Sequence, residues 1–432
     1  MNRFFIFLCL LILPLVAIAQ IGQERVLAEL DRPCYIVGEH LKVNVRICLP
    51  DNTPSPSRVA YVEIADTAQL YAQAMLTLDS GCGCGEIPLP STMHSGVYQL
   101  CVYTRGLRNY GTSAFFTAQI GVINPVKLSP KDNVRFIPAD DNTVTALLDT
   151  VPNYGDLADS PPATIPYAYE LEGHIVTAHV SADTEDVELV RLALVGKSAM
   201  IYDGRKTGNG NYNFYTTGIY SDMPSLVSAY NRDGESLPVT LLSPYAQVLP
   251  QHLPLLTVRC TEEALKERHA EALRQQAIDE WQHQNPLPQP ISFMTSTPEY
   301  IYDLDEWTSM NTVHELLIEF IHGVHIRRNG GVKQLYTLSS TTETYSQWPA
   351  LVLLDGIPVY DVEKFLEYDA HLLKYVQVYG DRYTFGQTCC HGVVSFITRS
   401  GKLSNFKLDE GSSFASYQFP QPNQIISNYT YK

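Results

Sequence analysis

The chain has 432 residues, 45% of them hydrophobic and 18% charged, with a formal net charge of −16. That much apolar material builds packed cores and excludes a disordered chain, and the length fits about three domains. The acidic balance argues against nucleic acid and against electrostatic docking on anionic lipid.

The chain opens with the pattern of a secretory signal. Arg3 is the basic n-region, Phe4 to Val16 the apolar core, and Ala17-Ile18-Ala19 a small-x-small cleavage site before Gln20. Residues 1–19 are therefore expected to be removed on export. No later stretch approaches ~18 apolar residues without charge, so no transmembrane segment is expected in the mature chain. Eight cysteines follow the signal: Cys34, Cys48, Cys82, Cys84, Cys101, Cys260, Cys389 and Cys390. Five fall between residues 34 and 101, and in an exported chain at least one disulfide is expected among those five.

Residues 21–125 read as a β-sandwich. Arg25 to Leu30, Leu41 to Ile47, Tyr61 to Ile64 and Gly96 to Tyr103 alternate apolar and polar positions, with turn-rich runs such as Pro50 to Pro56 between them. Asp31-Arg-Pro-Cys-Tyr-Ile-Val-Gly-Glu39, with Leu89-Pro90 and Ser95-Gly96-Val97-Tyr98 further on, resembles the opening and ending of the second macroglobulin domain of alpha-2-macroglobulin-type proteins. Residues 126–166, rich in Pro and Asp, read as a linker or irregular edge. A second β-sandwich is expected over 167–255, with a tight hairpin at Gly208-Asn209-Gly210. Its Glu172-Gly173-His174-Ile175 opening resembles small transthyretin-like sandwiches.

Thr261 to Gln284 predicts the one long helix, with Ala270, Leu273, Ala277 and Trp281 as its apolar stripe. Asn285 to Pro290 ends it in a Pro-rich connector reaching 299. A second helix starts at Thr312, whose partner Glu315 completes a capping-box pattern, and carries Val313, Leu316, Leu317 and Phe320 on one face. A strand and the hairpin turn Asn329-Gly330-Gly331 follow. Leu351 to Leu354 is an apolar strand stopped by Asp355-Gly356, and Gly392 to Thr398 is another β run. Three segments over residues 300–401 resemble, in order, the plug domain of TonB-dependent outer-membrane receptors: Glu315 to Arg327, Leu354 to Val359, and Gly392 to Thr398. The resemblance implies a Gram-negative envelope, in the periplasm or at the outer membrane, and contact with envelope proteins. About 30 residues follow Gly401, a tail spanning 402–432. A membrane barrel takes at least ~8 strands of roughly 10 residues, so the expectation is a plug-like domain without a barrel.

The chemistry of enzymes is sought and not found. Cys84-Gly-Glu-Ile87 lacks the Gln that a Cys-Gly-Glu-Gln thioester uses. Cys82 and Cys84, Cys389-Cys390-His391, and His322 with His325 miss the spacings of zinc sites. Asp303, Asp305 and Glu306 read as a solvated face. No Gly-x-Ser-x-Gly, phosphate loop or dinucleotide fingerprint is present. The expectation is a multidomain, mainly β protein: two N-terminal β-sandwiches, then a helical segment and an α+β plug-like domain. It would have no catalytic residue, cofactor or metal. Tyr379, Tyr383 and Phe385, expected on a glycine-flanked loop before the last strand, are the candidate partner contact. The function expected is binding or scaffolding beside an outer-membrane transport complex. The alternative is macroglobulin-like protease binding.

Overall fold

The structure is a computed structural model. It describes residues 22–126, 129, 131–140, 143–148, 151–181, 186–194, 200–306, 310–385, 388–401 and 403–423, less 285–296, and of 281–284, 385 and 388 the backbone only. The expected signal, 1–19, lies outside the described residues. The chain divides into two units, each assembled from separate stretches. One takes its described residues from Met1–Gly173, Tyr245–Asn285 and Pro420–Lys432, the other from His174–Pro244 and Pro286–Phe419.

The first unit begins with the sandwich read from the sequence. Its strands are β1 (Arg25–Leu30), β2 (Cys34–Ile36), β3 (His40–Cys48), β4 (Val59–Ala65), β5 (Leu70–Thr77), β6 (Cys82–Pro88), β7 (Gly96–Tyr103) and β8 (Phe116–Ile123). One sheet runs β1-β3-β6 and the other β2-β8-β7-β4-β5. The alternation of β3 does what a period of two requires. Leu41, Val43, Val45 and Ile47 enter the core, while Lys42 and Arg46 face solvent. The Asp31 to Glu39 string is a local bonding device. The Tyr35 hydroxyl donates to Asp31 at 2.7 Å, Asp31 also accepts from the Lys42 amide, and Glu39 accepts from the Ile36 amide at 2.8 Å. Gly38 makes the turn at φ 88°.

The stretch expected as a linker is built into this unit. It carries β9 (Val134–Pro138) and β10 (Val144–Leu147). The chain then enters the second unit with β11 (Ile175–Val180), β12 (Val187–Leu194), β13 (Met200–Asp203), β14 (Arg205–Gly208), β15 (Asn211–Tyr215), β16 (Asp222–Asn231), β17 (Ser236–Leu237) and β18 (Val239–Leu241). These form the sheets β14-β15-β11-β18 and β13-β12-β16-β17, closed over Val176, Leu192, Phe214 and Val227.

Back in the first unit, β19 (Leu256–Cys260) enters between β10 and β9, antiparallel to one and parallel to the other. Helix α1 (Glu262–Gln284) follows. Its packed face is not the expected stripe. Ala270, Leu273 and Ala277 are exposed, and Ala264 and Ala272 are buried instead; the Trp281 side chain lies outside the description. Polar bonds fix this rotation. Arg268 holds Glu39 at 2.8 Å and the Cys34 carbonyl at 2.7 Å, and His40 bridges Asp279 at 2.6 Å and Glu86 at 3.2 Å.

The rest of the second unit comprises β20 (Tyr300–Asp303), α2 (Val313–Glu319), β21 (Val324–Asn329), β22 (Val332–Thr337), β23 (Leu351–Leu354), β24 (Ile357–Pro358), α3 (Val362–Leu366), β25 (Leu373–Phe385), β26 (Thr388–Thr398) and β27 (Ser413–Gln418). The sheet β20-β25-β26-β23-β24 carries Leu351 to Leu354 beside Val393 to Phe396 in parallel register. α2 and α3 pack into its core through Val313, Leu316, Leu317, Phe365 and Leu366. Phe320, expected on that face, follows the helix end and is only half-buried. The expected tail contributes β27, which pairs with β16 from Asp222 to Val227. The expected disulfide is also corrected. All eight cysteines are free thiols, and Cys34, Cys48, Cys84 and Cys101 are buried as small apolar side chains.

Glu24 is buried in the first sandwich, accepting hydroxyls from Ser55, Ser57 and Thr104. Burial, with Glu170 adding repulsion, pushes its carboxyl above the usual range, although the three hydroxyls act the other way. A raised carboxyl pKa favours the fold most below the unfolded value. That contribution is lost as pH rises through the folded value. Urea unfolding between acid and neutral pH should therefore show wild type losing stability relative to Glu24→Gln as pH rises. Wild type gaining on the variant over that range would contradict the assignment.

Candidate interaction face

The motifs that invited chemistry prove to be structural. The Cys84 thiol lies 3.5 Å from the Asn423 side-chain oxygen, which also accepts the Cys84 amide. Lys374 joins Asp303 and Asp305, and Arg399 adds a 2.6 Å contact to Asp305. Lys374 is the first cause holding both carboxyls below the usual range, and Arg399 adds to it at Asp305. Strand alternation separates Cys389, exposed and 2.7 Å from the Arg382 guanidinium, from buried Cys390. Burial pushes the Cys390 thiol up to about 11. Among the described residues no three His, Cys, Asp or Glu side chains are grouped to hold a metal.

The expected contact at Tyr379, Tyr383 and Phe385 is corrected in part. The stretch is not a loop but the long β25–β26 hairpin, paired from Leu373 with Thr398 to Phe385 with Thr388. Tyr379 is only 6% exposed, in an apolar cluster with Ala193, Ile201, Leu353, Cys390 and Val393. Tyr383 packs against that cluster, its ring 5.9 Å from that of Tyr379. Tyr379 thus joins the sandwich strands to the α+β sheet. The Phe385 side chain lies outside the description. Gly380 is needed for close approach, since a Cβ there would lie 1.9 Å from the Leu338 carbonyl oxygen.

A separate two-stranded sheet, β21-β22, and the loop after it carry a different set of aromatics, of which Tyr345 and Trp348 are exposed and Tyr336 is buried. β21 and β22 form a hairpin through Gly330 and Gly331, both at positive φ. On it the Arg327 guanidinium lies 5.2 Å from the Tyr336 ring and 5.6 Å from that of Tyr345. His325 stands 5.4 Å from Tyr345. Trp348 is 62% exposed, its ring 6.0 Å from His391.

The loop bearing Tyr345 and Trp348 is held in place. Its backbone closes through Ser339 to Thr344 and Ser346 to Thr337, both at 2.9 Å. Asp381 accepts from the hydroxyls of Ser339 and Thr341 at 2.5 and 2.7 Å, which hold its carboxyl below the usual range. The Ser346 hydroxyl accepts from the Trp348 amide and donates to its carbonyl. Fixed, exposed Trp, Tyr and Arg side chains are the composition of a binding hot spot. Sequence reasoning missed this cluster. Its available signal was an aromatic pair, Tyr345 inside the polar run Ser339 to Gln347 and Trp348 directly after it.

No family model matches the chain, and no curated protein matches it. Among solved structures it is similar to a Salmonella alpha-2-macroglobulin, at 12% identity and TM-score 0.21, over 55% of this chain and 15% of that one. It is similar to native Escherichia coli alpha-2-macroglobulin at 10% identity and TM-score 0.21, over 94% and 21%. A tandem immunoglobulin module of a Drosophila receptor protein tyrosine phosphatase matches at 10% identity and TM-score 0.16, over 51% and 97%. The chain thus spans about a fifth or less of these macroglobulins, and likenesses this distant carry no argument about its fold or activity. Among the described residues no helix is long and apolar enough to cross a membrane.

Inward and outward aromatics should respond oppositely to truncation. Tyr379→Ala should cost about 3 kcal/mol in denaturant unfolding, as large core aromatics do, while Trp348→Ala should stay within about 0.5 kcal/mol of wild type. The reverse ranking would place Trp348 in a core and remove the face.

Proposed function

We propose that the chain is an exported, non-enzymatic envelope protein that binds a protein partner through the face formed by Arg327, Tyr345, Trp348 and His391. The carrying observation is Trp348, 62% exposed on a loop fixed by its own hydrogen bonds. An exposed indole on a rigid frame loses little conformational freedom on binding. Export is supported by the Arg3, Phe4 to Val16 and Ala17-Ile18-Ala19 pattern. The plug-like reading, and with it the outer-membrane setting, rests on the resemblance of three sequence segments. The three resembling segments fall on α2 and β21, on the β23–β24 turn, and on β26. In that turn Asp355 and Gly356 have φ of 46° and 84°, and the buried Asp355 carboxylate accepts from the Thr398 amide and hydroxyl and the Leu403 amide. The resembling β run and the Asp-Gly turn are thereby tied to each other.

A second reading, macroglobulin-like protease binding, rests on the stretch from Val151 to Pro166. It has exposed Val151, Leu157 and Ile165 on backbone with little regular structure, the form a protease active site accepts.

Site-specific photo-crosslinking at position 348 in intact cells tests the first reading. It should yield a discrete adduct with an envelope protein, absent when the crosslinker sits at exposed Leu273. The same unselective background at both positions would overturn it. If an added protease is instead retained after cleavage between residues 151 and 166, the second reading replaces it.

A further inference from the structure

A cleft of about 550 Å3 opens in the first unit where the β4–β5 turn, the start of β7, and residues 131–133 and 251–253 meet. Its size falls within the ~300–1,000 Å3 of small-molecule sites, and none of its residues belongs to the aromatic face described above. The wall is pre-formed. Tyr98 is 2% exposed, and its hydroxyl both donates to the His94 carbonyl and accepts from the His94 amide. Tyr71 packs at 88° to Tyr98 with centroids 5.2 Å apart, and its hydroxyl donates to Asp66 at 3.0 Å.

The polar groups fall into two sets. The carboxylates are already engaged: Asp66 accepts the Ala68 and Gln69 amides, and Asp132, beneath His94, accepts those of Ser95 and Ser129. Unspent capacity lies elsewhere. The buried Nδ1 of His94 has no hydrogen-bond partner and is 4.0 Å from Asp132. Exposed Gln251, His252 and Lys131 also line the cleft.

Imidazoles and a primary amide each give and take hydrogen bonds, which matches hydroxyl groups that do the same. The lining has no arginine fork for a phosphate or carboxylate. Its one lysine, Lys131, shares the lining with the Asp66 carboxylate, and a single cation is no clamp for an anion. Tyr71 adds an apolar ring surface beside these polar groups. We propose that this cleft binds a neutral sugar, as a free mono- or disaccharide or as the terminal unit of a glycan.

Saturation-transfer NMR on the full chain tests this. The neutral probes are glucose, galactose, mannose, N-acetylglucosamine and their β-linked dimers, and the anionic probes are glucuronate and inorganic phosphate. At least one neutral sugar should receive saturation, and Gln251→Ala with His252→Ala should abolish it. Both side chains are exposed, so an unchanged melting temperature shows that the fold is intact. Tyr71→Leu should weaken the same signal. No transfer to any neutral sugar, undiminished transfer in the double variant, or preferential binding of glucuronate or phosphate would overturn the proposal.

Discussion

A fully buried carboxylate, Glu63 on β4, holds the first unit together as a single body. It accepts from the Tyr103 hydroxyl at 2.9 Å and from the backbone amides of Gln247 and Val248, each at 3.0 Å. Tyr103 also accepts the Ala246 amide at 2.7 Å. The chain leaves this unit after Gly173 and re-enters it at Tyr245. The segment Tyr245–Asn285, which carries β19 and α1, is seated against the sandwich from that point. A buried carboxylate is costly unless its oxygens are satisfied. Two backbone amides and a hydroxyl satisfy Glu63 only while the returning segment is in place. Tyr245, Leu256 and Val258 then add apolar area to the sandwich core.

The second unit uses aromatic side chains for two separate purposes. Those facing inward on the β25–β26 hairpin join its sandwich strands to its α+β sheet, and that apolar cluster includes Ile201 and Leu353. Arg191 adds a polar tie, bonded to Asp203 at 2.7 Å and to the Tyr360 hydroxyl at 3.3 Å. Tyr345 and Trp348, on the loop after the β21–β22 hairpin, stay exposed and available for recognition. A rigid sheet carrying a polar, hydrogen-bonded loop is a suitable frame for a binding site.

Local signals in the sequence were legible where one short segment decides the outcome. The alternation of β3, the Asp355-Gly356 and Asn329-Gly330-Gly331 turns, and the bounds of α1 to within a residue could all be read directly. So could the cap of α2, where Thr312 accepts the Glu315 amide at 3.2 Å. Its Glu315 carboxylate bonds the Asn311 amide, one residue before the capping-box position. What depends on distant partners was not legible. The face of α1 is chosen by Glu39 and His40, more than 200 residues away, and apolar periodicity alone pointed to the opposite side. β9 and β10 looked like linker because the strand that completes their sheet, β19, arrives over 100 residues later. Tyr379 read as a loop residue because flanking glycines suggested mobility, whereas Gly380 is there to let β25 approach the Leu338 carbonyl just after β22.

Hydrogen exchange on Glu63→Gln tests most directly whether the returning segment is held by this carboxylate. A glutamine offers one acceptor oxygen and places an NH2 group against a backbone donor. Amides of Gln247, Val248 and β19 should lose protection well before those of β4 and β7, since local opening precedes global unfolding where the anchor is weakened. Unchanged protection over residues 245–260, or loss spread evenly over the whole sandwich, would contradict this account.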